Sequence, residues 1–253
     1  MTDVLVDVHH DDGIRTLTLN SPANRNALSE RLLAQLEQAL RDATRDPDVR
    51  AVVLTGEGAV FCSGADLSER GTAAPNRMPA ILTSIVESAV PVLVRVNGHA
   101  RAGGIGLIAA ADMAVAAEAA TFAFTEVRVG VAPAMILVPA LRVMDRRFLA
   151  RATLTGERFG AAEAVEAGLL TAVTPDEAAL DAWVADRTTA LRQAAPGAVR
   201  ATKELLRTLP AQEWDEGLAA AAVTSADLFA GAEAAEGMDA FLQKRRPAWD
   251  TTP

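Results

Sequence analysis

The segment that most restricts what this chain can fold into is Asn97-Gly98-His99-Ala100-Arg101-Ala102-Gly103-Gly104-Ile105-Gly106-Leu107, which follows the apolar run Val92-Leu93-Val94-Arg95-Val96. It reads as a strand, a glycine-rich turn and then a helix over 103–111. Small residues at 102–104 let the backbone approach another group closely. The start of the helix directs unpaired N–H groups at whatever stands there. A group that is anionic, or becomes so, suits that position.

The chain before this segment repeats one pattern. Residues 4–8 and 14–19 alternate apolar and polar side chains around Asp11-Asp12-Gly13, which predicts a β-hairpin. Ser29 is placed to cap a helix whose stripe Leu32, Leu33, Leu36 and Leu40 has helical spacing and stops at Asp46-Pro47. Residues 51–55 predict a buried strand, 69–76 a small, polar, mobile loop, 78–88 a helix, and 92–96 a strand again. After the opening segment come short strands at 113–116 and 121–124, then helices at 133–144, 146–154 and 161–167. From 177 to 244 nearly everything favours helix, with breaks at Pro196-Gly197, Pro210 and Gly231. This divides the chain into a core over 1–195 and a helical region over 196–253 whose apolar stripes need something to pack on.

A chain of 253 residues that is 50% hydrophobic can bury a full-sized core. Its net charge of −9 argues against nucleic acid or an anionic membrane as principal partner. The single cysteine, Cys62, permits no internal disulfide or thiolate metal cage and reads as a small core residue. Residues 1–12 carry no basic-then-apolar signal and no apolar run approaches about 18 residues, so a cytoplasmic protein is expected. His9, His10 and His99 are scattered, which predicts no metal site, and His99 reads as a turn residue.

Gly104-Ile105-Gly106-Leu107-Ile108-Ala109 matches the dinucleotide fingerprint G-x-G-x-x-A, with Glu126 at a suitable distance beyond. That fingerprint needs its first glycine directly after a strand, whereas here residues 97–103 intervene. Two other turns, Ser63-Gly64-Ala65-Asp66 and Ala102-Gly103-Gly104, each follow a strand. They are either ordinary tight turns or a pair of backbone donors to one carbonyl oxygen, an oxyanion hole.

At these residues the sequence resembles the crotonase (enoyl-CoA hydratase/isomerase) superfamily. The resemblance rests on Asn24-Arg25-Asn26-Ala27-Leu28-Ser29, the stretch 61–67, Asn97-Gly98 through Gly104, and Glu126-Val127-Arg128-Val129-Gly130, in that order. The ending Phe241-Leu242-Gln243-Lys244-Arg245-Arg246-Pro247 is similar too. The resemblance implies an α/β fold, a spiral of repeated β-β-α units with a C-terminal all-helical region, assembled as a homotrimer or homohexamer. It implies an acyl-CoA thioester as substrate, coenzyme A being part of that substrate, and no separate cofactor. It makes Ala65 and Gly103 the oxyanion-hole donors, sets Arg25 near the phosphates of coenzyme A, and places Ser63, Asp66 and Leu67 around its adenine. Ala27 and Gly104 complete that binding surface, and Phe241 and Lys244 reach the coenzyme of a neighbouring subunit. The plainer readings are that Arg25 is a solvated charge flanking a helix and that Asp66 caps the next one.

Glu126 matches one of two catalytic glutamates of typical hydratases. Its apolar neighbours Phe122, Phe124, Val127 and Val129 would raise its pKa toward an acid/base role. Read as extended, the segment puts Glu126 and Arg128 on one face, where they could instead pair. The second glutamate would fall at Gly106, which cannot transfer a proton, and Asp112 is expected to point elsewhere. Family isomerases of 3-enoyl-CoA work with a single glutamate. The segment 125–134, however, resembles bacterial methylglutaconyl-CoA hydratase-like members, which also carry glycine at the first position. Ala134 and the run Ala132-Pro133-Ala134-Met135 lack the acids of the dehalogenase and dienoyl-isomerase branches. The expected function is hydration of a 2-enoyl-CoA through an oxyanion hole and one glutamate. Isomerisation of a 3-enoyl-CoA is the alternative, and an acyl-CoA-binding paralogue with weak catalysis is the reading of another class.

Overall fold

The computed structural model describes residues 3–69, 76–250 and 252. The hairpin forms as expected from β1 (Val6–Asp11) and β2 (Ile14–Leu19), and its two-residue turn places Asp12 (φ 43°) and Gly13 (φ 77°) in the left-handed region that matches strand twist. Helix α1 (Glu30–Arg45) starts where Ser29 accepts a hydrogen bond from the N–H of Leu32, and buries Leu32, Leu33, Leu36 and Leu40. Each buried leucine contributes about 1.5–3 kcal/mol relative to exposure.

Strands β3 (Ala51–Gly56) and β4 (Val60–Cys62) lead to α2 (Met78–Val86) and β5 (Val92–Val96). The opening segment is then split by β6 (His99–Arg101), so His99 begins a strand rather than occupying a turn. Helix α3 (Gly103–Ala110) follows, then β7 (Met113–Ala117) and β8 (Thr121–Ala123). Residues 126–129 form a 3-10 turn, not an extended segment, so Glu126 and Arg128 do not share a strand face. Next come α4 (Ala134–Val143), α5 (Arg146–Thr155), β9 (Phe159–Gly160), α6 (Ala161–Glu166) and β10 (Ala172–Thr174). The chain ends in α7 (Glu177–Gln193), α8 (Pro196–Thr208), α9 (Trp214–Phe229) and α10 (Ala232–Gln243).

Two sheets result. The larger runs β1-β2-β3-β5-β7-β10 and is parallel except for the hairpin; the smaller runs β4-β6-β8-β9, with β4, β6 and β8 mutually parallel. The short strands β4 and β6 alternate with the longer strands β3 and β5 of the other sheet, which is the spiral of β-β-α units. One continuous core joins α1, α2, α3 and the inner face of the larger sheet, extending to Phe122, Phe124 and Phe159. Phe159 stacks on Phe122 with centroids 5.6 Å apart and meets Phe148 edge-on at 5.0 Å. Helix α8 is anchored by Lys203, whose Nζ donates to Asp112 (2.6 Å) and to the carbonyls of Ile85 and Val90 (both 3.1 Å). Asp112 thus faces Lys203 and the N–H of Val92, as its expected direction away from the glycine turn requires.

Candidate active site

Three chemically interesting residues leave the carboxyl ends of three adjacent parallel strands. Ala65 follows β4, Gly103 follows β6, and Glu126 follows β8. Ligand sites of α/β sheets commonly lie at such ends.

Ala65 makes an isolated parallel bridge with Leu28: the N–H of Leu28 donates to the Gly64 carbonyl (2.8 Å) and that of Asp66 to the Leu28 carbonyl (3.4 Å). This pattern turns the N–H of Ala65 itself away from Leu28, and no hydrogen bond engages it among the described residues. Gly103 is the first residue of α3, where the helix offers its N–H no acceptor. The two turns touch: a Cβ on Gly64, which has φ +92°, would stand 2.8 Å from that of Ala102. Ala102 is itself held at φ 48° and ψ −119°, a conformation alanine rarely adopts, by its N–H bond to the Ala123 carbonyl (3.1 Å) and by accepting from Ile105 (2.9 Å).

Glu126 opens the 3-10 turn. Its Oε2 is buried without a hydrogen-bond partner among the described residues, and burial raises its pKa above the ordinary carboxylate value, opposed only by its own backbone N–H. Arg128 does not neutralise it, since its Nε donates to the Thr155 carbonyl (3.3 Å) and packs against Gly156. A carboxyl whose pKa burial raises, with one oxygen unengaged among the described residues, is suited to accept and return a proton.

Position 106 holds no acid, and its space is filled. A Cβ built on Gly106 would lie 2.5 Å from Cγ2 of Ile136, a buried residue of α4. The glycines at 104 and 106 sit inside α3, not in a strand-to-helix turn, which removes the dinucleotide reading.

Arg25, Ala27, Ser63, Asp66 and Leu67 come together beside Ala65. The Arg25 carbonyl accepts from the N–H of Ser63 (3.1 Å), and Arg25 sits at φ 60° with no ion-pair partner among the described residues. Asp66 accepts from the N–H (2.9 Å) and hydroxyl (2.6 Å) of Ser68, so it caps the turn at Leu67–Glu69, and Leu67 is exposed. Gly104 packs on Cys62, whose buried thiol is pushed up to about 12 and is inert. Phe241 is 82% exposed at the end of α10 and Lys244 closes that helix at φ 54°; within one chain neither is hydrogen-bonded or ion-paired to the strand-end groups.

Sequence reasoning did not single out Asn26 and Asn97 individually. Asn26, fully buried, donates to the carbonyls of Glu57 and Val60 and accepts from the N–H of Ser21. Asn97 accepts from the N–H of Gly56 and donates to the Gly58 carbonyl. Together they clamp the loop that aims β4. The available signal was an asparagine beside Gly98 and another in the run Asn24-Arg25-Asn26. A groove of about 300 Å³ runs between α2 and α4, lined among others by Leu82, Val86, Met135 and Val138, with Arg207 of α8 at its edge. Met78, at the start of α2, lies 3.9 Å from a Cβ built on Gly103. Of the loop expected at 69–76, residues 70–75 lie outside the described residues.

These features define an enzyme of the crotonase fold, with two backbone donors and one buried acid. The chain belongs to the enoyl-CoA hydratase/isomerase family, whose model matches residues 9–252. It is 32% identical over 246 residues to the 2,3-dehydroadipyl-CoA hydratase of Escherichia coli (strain K12), covering 95% of this chain and 96% of that one. It is 33% identical to the mitochondrial enoyl-CoA hydratase domain-containing protein 3 of Danio rerio, covering 95% and 86%. The crystal structure of an enoyl-CoA hydratase from Mycobacterium smegmatis superposes with a TM-score of 0.91 at 35% identity, over 98% of this chain and all of that one.

Proposed function

We propose that this chain hydrates a 2-enoyl-CoA thioester using Glu126 as its only carboxyl. The observation that carries this reading is the buried Glu126 Oε2, without a hydrogen-bond partner among the described residues, in the turn after β8, while the N–H groups of Ala65 and Gly103, likewise unengaged among the described residues, follow the neighbouring strands β4 and β6. The thioester oxygen accepts from both N–H groups. Water adds its oxygen to Cβ and gives a proton to Glu126, while the double-bond electrons move through Cα to leave an enolate. Glu126 then returns the proton to Cα. The two donors favour the enolate over the ground state, which is where catalysis gains. Arg25, Ser63, Asp66 and Leu67 serve the coenzyme, the groove between α2 and α4 takes the acyl chain, and Phe241 and Lys244 act on a neighbouring copy's coenzyme in a trimer or hexamer.

Isomerisation of a 3-enoyl-CoA is the second reading, favoured by Ile136 occupying the space beside Gly106. A 1,3-proton shift needs one group that takes and returns a proton. Incubation with 2-enoyl- and 3-enoyl-CoA in heavy-oxygen water separates the two. Label in the product supports hydration, and double-bond migration without label supports isomerisation. Glu126→Gln should lower turnover by about 10²–10⁴-fold. Turnover unchanged by that substitution would remove Glu126 from the mechanism. Wild-type protein that binds acyl-CoA but turns over neither substrate would be the acyl-CoA-binding paralogue.

A further inference from the structure

Glycine within a helix is unfavourable relative to alanine, so three within the first four residues of α3 call for a reason in close approach. Each one has a different neighbour. A Cβ on Gly103 would meet Leu28 Cδ1 at 2.7 Å, one on Gly104 would meet Cys62 Cβ at 2.8 Å, and one on Gly106 would meet Ile136 Cγ2 at 2.5 Å and Cβ at 2.9 Å. The first two set α3 against the strand-end turns. The third has no such duty, because Ile136 belongs to α4, beyond the 3-10 turn that carries Glu126.

Between Glu126 and Ile136 the chain makes two separate hydrogen-bonded turns. The Glu126 carbonyl accepts from Gly130 and from Val131 (3.1 Å), Ala134 donates to Ala132 (2.8 Å), and Leu137 donates to Pro133 (3.0 Å). Only residues 130–133 separate the turn bearing the carboxyl from α4, so the seating of α4 bears on where that turn stands. Gly103, meanwhile, lies one helical turn before Gly106 on the same helix. The Gly106–Ile136 contact thus joins the element that presents an oxyanion donor to the element that carries the acid.

We propose that Gly106 and Ile136 are a positioning pair: the missing side chain at 106 lets Ile136 seat α4 closely enough on α3 to set Glu126 in register with the Gly103 N–H. The inference rests on the reading of Glu126 as the proton-transferring group. It gives position 106, which has no acid, a role of its own in this chain.

The test is a set of variants assayed with the turned-over enoyl-CoA, with thermal melts to confirm folding. Gly106→Ala should lower kcat by about 10- to 100-fold with KM within about twofold, since a displacement near 1 Å can cost 10²-fold in rate. Adding Ile136→Ala removes Cγ2 and should recover part of that loss. Ile136→Ala alone, which leaves a cavity instead of a clash, should also lower kcat more than it raises KM. In a Glu126→Gln background, Gly106→Ala should add little further loss, because the two act through one group. Folded Gly106→Ala or Ile136→Ala protein with wild-type kcat would overturn the proposal, as would a double variant no better than Gly106→Ala. Failure of Glu126→Gln to affect wild-type turnover would instead overturn the assignment of Glu126.

Discussion

At the scale of single residues, the site depends on backbone that only certain side chains tolerate. Gly64 combines φ +92° with a 2.8 Å approach to Ala102 Cβ, so Gly64→Ala meets both a conformational and a steric penalty. It should destabilise the protein by about 1–3 kcal/mol and lower kcat/KM more than it lowers the melting temperature suggests, because the strain falls on the turn that aims the Ala65 N–H. Comparing denaturant midpoints with kinetics checks this. Glu126 yields a paired prediction. Its pKa is raised in the folded state, so the folded protein binds this proton more tightly than the unfolded chain, and ionised Glu126 is a destabilising feature above the raised pKa. Glu126→Gln should therefore raise Tm slightly at neutral pH while lowering turnover by about 10²–10⁴-fold. In the wild type the acidic limb of the kcat/KM profile should be displaced upward from the ordinary glutamate value. A Gln variant less stable than wild type at neutral pH would show that the carboxylate is held by a partner. The glycine turns, Glu126 and the loss of an acid at 106 were all legible in the residues. The strained Ala102, the asparagine clamps and Ile136 against Gly106 were not, because they depend on which distant segment arrives beside each one.

At the scale of elements, local periodicity located α1 and its Ser29 cap, the hairpin, and the breaks between α7, α8, α9 and α10. It failed for β6, β9 and the 3-10 turn at 126–129. These are two to four residues long, too short for a period of 2.0 or 3.6 to show, and pairing with neighbours defines them. The attachment of α8 gives a further prediction. Lys203 is 8% exposed, and burial lowers its pKa even though Asp112 stands at 2.6 Å. Lys203→Ala removes three hydrogen bonds and leaves Asp112 without its cation. The expected loss is about 2–3 kcal/mol, reduced from the value for a fully buried pair because Asp112 is partly solvated. Lys203→Met, which keeps the apolar stem, should lose less. Because a depressed lysine pKa penalises the charged form in the fold, the wild-type advantage over Lys203→Met should grow as pH rises through the lowered pKa. Chemical denaturation across alkaline pH measures this.

At the scale of the whole molecule, one chain leaves apolar surface unpartnered. Trp214 is 78% exposed, Leu218, Val223 and Phe229 of α9 are also exposed, and Phe241 and Leu242 continue the surface on α10. Surfaces of this kind mark interfaces. Sedimentation should give three or six times the 26.5 kDa of one chain, and Val223→Asp should shift it toward the single-chain mass. A wild-type monomer would refute the expected assembly. By itself the sequence determined the alternation of elements, the identity of the glycine-rich turns, and the presence of Glu126 at one position and of glycine at 106. Those are local properties, written in side-chain size, periodicity and capping. Only the tertiary structure decided that Ala65, Gly103 and Glu126 leave neighbouring strand ends, that Glu126 Oε2 is buried without a hydrogen-bond partner among the described residues, and that Ile136 fills the space beside Gly106. Each depends on the order of strands in the smaller sheet and on how closely α4 packs against α3, and both are set by contacts between residues far apart in the chain.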